Sequence, residues 1–434
     1  MFEPFEPLDR SSEWLPVARA GTVWSVNDEQ TQNPPEAAPA AANSATKSDT
    51  NIDATNDATS NSIRDATNDA TSNATSDSTS DSLGDPNSEA KGDSTRGIDV
   101  DRVSAWLAAN VAGAVAPFRF DLIAGGRSNI TYKVTGADST RFVVRRPPLG
   151  HVLATAHDMS REHRIISAIA QTKVPVAPAL GLCTDEAVNG APFYVMAYID
   201  GIVLDSPEAG LAFPEHLRKP AAESMIDVMI ELHKVNPDGI GLGQLGRKEG
   251  YIERQLKRWS TQWANSKTRE LPTMERVHEL LATRLPEQIH TGIVHGDYRL
   301  GNTLISTQTG LLQAVLDWEL CTLGDTLADI GYLLIHWADP GAEPLQNNDP
   351  SGAIGFPTRA EVIDRYSRGT GRDLSGIGYY EAFSCWRLAC IGEGVLARYK
   401  AGVMGEAGEY DLSVGEANVG RLADRALAAF ESLP

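Results

Sequence analysis

The stretch running from Ile293 to Glu319 carries residue types suited to moving a phosphoryl group. It reads I-V-H-G-D-Y-R-L-G-N-T-L-I, then a glycine-containing turn, then L-L-Q-A-V-L-D-W-E. Asp297 and Asn302 stand five positions apart in a loop flanked by two strand-like segments, and Asp317 follows the second, Leu311–Leu316. Carboxylate and amide oxygens are hard ligands that suit Mg2+, an ion that keeps several waters and binds one or two carboxylates together with phosphates. Phosphoryl transfer uses such metals, and it also needs a carboxylate that orients the attacking hydroxyl and takes its proton. Asp-x4-Asn, then a strand, then Asp is therefore the pattern of a catalytic and metal-binding loop for phosphoryl transfer, built here from Asp297, Asn302 and Asp317. A lone His-x-Asp would say little. His295, Asp297, Asn302 and Asp317 together, in strand–loop–strand order, say much more.

Elements upstream must bring a phosphate donor to that loop. Gly125-Gly126-Arg127-Ser128-Asn129 joins two β-like segments, Phe118–Ile123 and Ile130–Val134. Backbone amides around Gly125, Gly126, Ser128 and Asn129 would cover phosphates there, although Gly-Gly in a hairpin is also an ordinary turn. Arg145 ends a third segment, Phe142–Arg146, where it would meet an α- or β-phosphate. Glu162, in the helix expected over Arg161–Ala170, would hold Arg145 by an ion pair; solvated surface charge is the alternative for both. Met196, Ala197 and Ile199 close the apolar strand Phe193–Tyr198, where a base would lie and bond to backbone. A first helix is expected over Asp99–Val111. After Asp200-Gly201 the pattern turns helical, with Met225, Val228, Met229 and Leu232 on one face. A β-rich part followed by a helix-rich part predicts an α+β protein in two lobes rather than a βαβ repeat.

Composition bounds the partners. The 434 residues carry a net charge of −20, of which −11 falls in residues 1–98. Phosphate contacts need clustered Lys and Arg, so neither nucleic acid nor an anionic membrane is an expected partner. Four cysteines without a Cys-x-x-Cys pair argue against a disulfide framework or a cysteine zinc site. No apolar run approaches the roughly 18–20 residues that span a bilayer. The N-terminus, with acids and prolines, does not resemble a secretory signal, so a cytoplasmic protein is expected. Residues 27–98 are small and polar, with Asp53–Asn61 repeated as Asp65–Asn73. Such a segment cannot offset its backbone ordering cost, about 1–2 kcal/mol per residue, and is expected to be disordered. The expected division is thus a tail at 1–98, a β-rich lobe at 99–199 and a helical lobe at 200–434.

These motifs resemble those of the aminoglycoside phosphotransferase family, relatives of the protein kinases that include choline and other small-molecule kinases. The resemblance covers essentially residues 99–434. It is carried by His295-Gly296-Asp297-Tyr298-Arg299-Leu300-Gly301-Asn302 and Leu316-Asp317-Trp318-Glu319, then Gly324-Asp325 and Asp329-Ile330. It implies a kinase-like fold with a small antiparallel-sheet N-lobe and a larger, mainly helical C-lobe. It also implies Mg2+ with ATP or GTP as co-substrate, and a small-molecule hydroxyl as acceptor. By that resemblance Asp297 would be the catalytic base and Asn302 and Asp317 would hold Mg2+, while Glu319, Asp325 and Asp329 would brace the catalytic loop and His295 would pack and hydrogen-bond. One position departs from the kinase pattern, since Arg145 stands where the third-strand lysine is usual. Arg145 keeps the charge but is larger and forks differently.

A finer resemblance is to the kinase-like domain fused, in some animal proteins, to acyl-CoA dehydrogenases. It rests on Phe142–Pro148, His157–Glu162, Tyr379–Phe383 and Trp386–Ala389. It implies a hydroxyacyl-CoA acceptor; an aminoglycoside- or choline-type kinase and a catalytically silent nucleotide-binding module are the alternatives. Trp337, Tyr379, Tyr380, Trp386, Arg387 and Arg398 are available to line the acceptor pocket, although aromatics at such spacing also suit a core; Arg387 and Arg398 would meet a CoA phosphate or pair with acids such as Glu381 and Glu393.

Overall fold

The computed structural model describes residues 95–124, 129–149, 158–402 and 411–433. Residues 1–94 of the acidic tail and Gly125, Gly126, Arg127 and Ser128 of the glycine turn lie outside those residues, while Ile98, expected in the tail, is buried with Val103 and Leu107, so the packed chain starts a few residues before the expected boundary at 99. The first helix, α1 (Val100–Asn110), starts at Asp99, whose carboxylate accepts the Arg102 N–H at 3.1 Å. Strands β1 (Arg119–Ala124), β2 (Ile130–Thr135) and β3 (Arg141–Arg146) follow as an antiparallel meander. Helix α2 (Met159–Ile169) is capped by Asp158 and leads to β4 (Ala179–Cys183), a short α3 (Glu186–Asn189) and β5 (Phe193–Ala197). The five strands form one sheet in the order β1-β2-β3-β5-β4.

Strand periodicity decides which side chains face the site. Successive residues of a strand point to opposite faces. Phe142 and Val144 of β3 and Phe193 and Val195 of β5 pack with Val103 and Leu107 of α1 in a small core. Arg145 and Tyr194, which pair across β3 and β5, belong to the other face. There Tyr194 joins a larger core with Ile165, Ile166 and Ile169 of α2. The strand register thus turns Arg145 toward α2 and the rest of the molecule.

The larger part is built of helices. They are α4 (Pro207–Ala212), α5 (Glu215–Lys234), α6 (Tyr251–Ser266), α7 (Pro272–Thr283), α8 (Leu327–Ile335), α9 (Arg359–Thr370), α10 (Ile377–Lys400) and α11 (Leu412–Glu431). Four short strands lie between α7 and α8: β6 (Thr291–Val294), β7 (Thr303–Ile305), β8 (Leu312–Val315) and β9 (Thr322–Asp325). They form two antiparallel pairs, β6 with β9 and β7 with β8. Residues 295–302 bridge the first pair to the second, and Asp317 lies between β8 and β9. This antiparallel-sheet lobe followed by a helical lobe is the α+β architecture expected from the sequence. Sequence patterning missed β4 and β9. Both are short, and β9 (T-L-G-D) has only one large apolar residue, so neither shows a period of two. Among the described residues no helix is long and apolar enough to cross a membrane.

Helices α8 and α10 pack against each other beside the site-bearing strands, where Asp329 of α8 accepts the His295 N–H just after β6 and Tyr380 of α10 donates to Asp325 at the end of β9. Gly331 on α8 touches Tyr380 on α10 so closely that a Cβ there would lie 2.5 Å from the Tyr380 Cβ and 2.8 Å from its carbonyl carbon. A methyl group cannot be absorbed by a flexible side-chain tip at that point. Gly331→Ala is expected to destabilise the fold by about 1–3 kcal/mol, read as a lower midpoint in urea denaturation. An unchanged midpoint would show that the two helices separate at little cost.

Candidate active site

His295, Gly296 and Asp297 leave β6 in a turn that only a glycine tolerates easily, because Gly296 has φ +87°. The backbone N–H groups of His295 and Gly296 both donate to the Asp329 carboxylate, at 2.7 and 2.8 Å. Asp329 is 1% exposed and also receives His233 Nε2–H at 3.3 Å. Burial opposes its charge, but the His233 hydrogen bond, the two histidines and the Gly296 amide hold its carboxyl below the usual range. His295 Nε2 donates to the Leu316 carbonyl at 2.9 Å, and its Nδ1 accepts the Asp297 N–H at 3.3 Å. One imidazole therefore ties the loop to the strand end that precedes Asp317.

Asn302 closes the loop from the other side. Its Nδ2 donates to the Asp297 backbone carbonyl at 2.8 Å and to Asp297 Oδ2 at 2.7 Å. The Asn302 carbonyl accepts the Leu316 N–H at 2.9 Å, so Asn302 sits beside the segment that carries Asp317. Asp317 has φ +60°, a left-handed conformation that a residue with a Cβ adopts only under constraint. Asp297 Oδ1 is buried without a hydrogen bond of ordinary geometry among the described residues; Arg299 Nε approaches it at 3.5 Å, and the Tyr332 hydroxyl bears on the same carboxylate. The geometry brings together Asp297, Asn302 and Asp317, as the spacing predicts.

Arg145 reaches this group from the sheet. Its Nη2 meets Asp317 Oδ1 at 2.6 Å, its Nε meets Glu162 Oε1 at 3.1 Å, and Glu319 lies 4.0 Å away. Burial works against the guanidinium charge, yet Glu162, Asp317 and Glu319 more than compensate and raise its pKa. Glu162 is 3% exposed; burial pushes its carboxyl up, against the pull of Arg145. The Glu319 carboxyl is pushed up to about 8 by burial and by Asp317. Asn129, the described end of the glycine turn, donates to Glu319 at 3.3 Å. Met196 and Ala197 are half-buried on β5, with Ile199 just beyond it, at the junction of the two parts.

The bracing residues divide as follows. Asp329 holds the loop directly. Asp325 accepts the Tyr380 hydroxyl at 2.6 Å and the Leu327 N–H at 3.1 Å, which sets the start of α8. Glu319 faces Arg145 and Asn129. Four of the aromatics offered for an acceptor pocket are core anchors. Trp337 bonds to the Pro357 carbonyl, Tyr379 to Leu281, Tyr380 to Asp325 and Trp386 to Met274. Glu381 pairs with Arg359 and Glu393 with Arg269, so neither is the partner of Arg387. Arg387 instead donates to the Gly296 carbonyl at 2.8 Å. Sequence reasoning gave Arg299 no role; its place two residues after Asp297 was the only available signal.

Residues 119–374 match the Phosphotransferase enzyme family, known as APH, and the chain belongs to that family. It is similar to acyl-CoA dehydrogenase family member 10 of Mus musculus, with 35% identity over 306 residues, 69% of this chain and 28% of that protein. It is also similar to acyl-CoA dehydrogenase family member 11 of Homo sapiens, with 31% identity over 282 residues, 64% of this chain and 36% of that one. The chain thus spans about a third of the length of these relatives. Among solved structures, a Ralstonia eutropha JMP134 protein provisionally named an aminoglycoside phosphotransferase matches with TM-score 0.67 and 31% identity, covering 77% of this chain and 99% of that one. A choline kinase from Cryptosporidium parvum shares the fold at TM-score 0.54 and 12% identity, over 77% and 97% of the two chains.

Two variants test the geometry. Arg145→Ala leaves Glu162 buried without its partner, and stability is expected to fall by about 3–5 kcal/mol. Asp329→Asn replaces an acceptor of three N–H bonds by an amide whose NH2 opposes them, and a comparable loss is expected at neutral pH. Because the Asp329 carboxyl is depressed in the folded state, its contribution is present above the ordinary carboxylate range and fades as pH falls below it. The wild-type and Asp329→Asn stabilities should therefore converge in acid; a constant gap from neutral to acid pH would contradict the assignment.

Proposed function

We propose that this chain transfers the γ-phosphate of ATP or GTP to a hydroxyl of a small metabolite, with 99–199 as the nucleotide-binding lobe and 200–434 as the lobe that carries catalysis. The observation that carries this is the hydrogen-bonded group Asp297–Asn302 beside Asp317 and Arg145. Asp297 would orient the acceptor hydroxyl and take its proton; among the described residues its Oδ1 has no hydrogen bond of ordinary geometry. Arg145, fixed by Glu162, would meet the α- or β-phosphate. Backbone amides around Gly125, Gly126, Ser128 and Asn129 would cover the phosphates, and the backbone at Met196, Ala197 and Ile199 would receive the base.

The donor set suits a divalent cation. Asn302 spends its NH2 on Asp297, which leaves the amide oxygen for a metal, and Asp317 commits only Oδ1 to Arg145. Two hard oxygens with water and phosphates filling the remaining positions is the usual arrangement for Mg2+. Bound there, Mg2+ would neutralise charge on the β- and γ-phosphates. The similarity to acyl-CoA dehydrogenase family members 10 and 11 supports a hydroxyacyl-CoA as acceptor. An aminoglycoside- or choline-type kinase is the second reading, supported by the names of the structural neighbours. A silent nucleotide-binding module is disfavoured, because base and both metal ligands are present together.

Mg2+-nucleotide at 100 times its dissociation constant is expected to stabilise the wild-type chain by about 2.7 kcal/mol. Asp317→Ala should abolish that metal-dependent gain. Asp297→Asn should keep nucleotide binding and lose turnover by roughly a hundredfold to ten-thousandfold, the range for a general base. Full turnover in Asp297→Asn would remove the base assignment, and stabilisation unaffected by Asp317→Ala would remove the metal assignment.

A further inference from the structure

We infer that Tyr332 is a positioning residue for phosphoryl transfer: its hydroxyl, presented from α8, holds the Asp297 carboxylate in the orientation that the acceptor hydroxyl needs. This rests on the reading of Asp297 as the base and adds a residue to that site.

Asp297 is held firmly at one oxygen only. Asn302 donates to its Oδ2 at 2.7 Å, whereas Oδ1 has no hydrogen bond of ordinary geometry among the described residues. A carboxylate fixed at one oxygen can still turn about its last torsion, which has broad wells. Arg299 Nε approaches Oδ1 at 3.5 Å, but Arg299 belongs to the same loop and gives no outside reference. Tyr332 comes from a different element. Its hydroxyl lies within hydrogen-bonding reach of the Asp297 carboxylate. Burial and the Asp297 charge push the Tyr332 hydroxyl well above its ordinary pKa, so it stays a donor at neutral pH. Contacts of this kind are often long in a ligand-free site and tighten when the site fills.

The ring that carries the hydroxyl is fixed in turn. Tyr332 is 6% exposed. His336, one turn further along α8, has its ring centre 4.5 Å away, and its Nδ1 donates to the Tyr332 carbonyl at 3.1 Å. Arg387 of α10 places its guanidinium 5.3 Å from the Tyr332 ring centre while donating to the Gly296 carbonyl at 2.8 Å. Asp329 stands three residues before Tyr332, on the same face of α8. It accepts the His295 and Gly296 N–H groups, so one helix face grips both the backbone before Asp297 and the carboxylate itself. Around Tyr332 the helix is apolar, with Ile330, Leu333, Leu334 and Ile335 buried. Phenylalanine would fill that space equally well, whereas a buried hydroxyl calls for a partner.

Tyr332→Phe keeps the ring between His336 and Arg387 and removes the hydroxyl alone. In the full chain with Mg2+-ATP and a hydroxyacyl-CoA as probe acceptor, kcat should fall about tenfold to a hundredfold, the cost of a misplaced reacting group. KM for the nucleotide should not change. If the hydroxyacyl-CoA is not phosphorylated, nucleotide hydrolysis with water as acceptor gives the same comparison. On top of Asp297→Ala, Tyr332→Phe should cost no further activity, because Tyr332 acts through Asp297. A kcat equal to wild type, a full loss that persists in Asp297→Ala, or an effect confined to nucleotide KM overturns the inference. A second readout needs no turnover: Tyr332→Phe should lower the urea midpoint of the wild-type chain but not that of Asp297→Ala. Equal shifts in both backgrounds overturn the inference and leave the phosphotransferase reading standing. A wild-type chain that transfers phosphate to no acceptor, water included, overturns both.

Discussion

The active loop depends on one buried carboxylate. Asp329, at the start of α8, accepts the N–H groups of His295 and Gly296 and the imidazole of His233. Those two amides begin the turn that presents Asp297, and they have no strand partner once β6 ends. An unpaired buried amide costs about 1–3 kcal/mol, so the loop would not hold this shape on backbone preference alone. The charge on Asp329 is in turn kept by His233, which is fixed on its far side by the Tyr366 hydroxyl at 2.8 Å. Arg372 donates to the same hydroxyl at 2.7 Å, so a chain of polar contacts from α5 and α9 ends at the residue before Asp297.

A second tie joins the sheet to that loop. Arg145 is a β3 residue, yet its guanidinium spans Glu162 of α2 and Asp317 beyond β8. Arginine makes both contacts at once because its longer, planar fork offers several donors in one plane, whereas a lysine ammonium is a compact point charge. The departure from the usual lysine therefore has a structural consequence: sheet, α2 and the Asp317 turn are cross-linked by a single side chain. Arg161 adds to this by donating to the Glu319 carbonyl at 3.1 Å.

Much of this was legible in the residue pattern. That Asp297, Asn302 and Asp317 would come together was legible, because two carboxylates and an amide at that spacing between strand-like segments mark a polar loop that the chain must fold back upon. The five-stranded sheet was legible in part, since β-branched and aromatic residues in β2, β3 and β5 show the alternation of a half-buried surface. Long-range polar contacts were not. Nothing in the order of residues says that Arg387 on α10 bonds to Gly296, or that Glu381 and Glu393 are taken by Arg359 and Arg269. Trp337, Tyr379, Tyr380 and Trp386 looked available for a ligand because aromatic type does not reveal whether an N–H or O–H finds a backbone carbonyl. Such pairings are set by helix packing, which the local pattern does not encode.

The central claim is that phosphorus leaves a nucleotide and arrives on an alcohol oxygen. Phosphorus NMR of the full chain with Mg2+, ATP or GTP and a hydroxylated acyl-CoA follows that transfer directly. The account predicts loss of the γ-phosphate signal with stoichiometric growth of a phosphate monoester on the acceptor, dependent on the divalent cation. Growth of inorganic phosphate alone, or an unchanged nucleotide across a broad set of small-molecule alcohols, would contradict it.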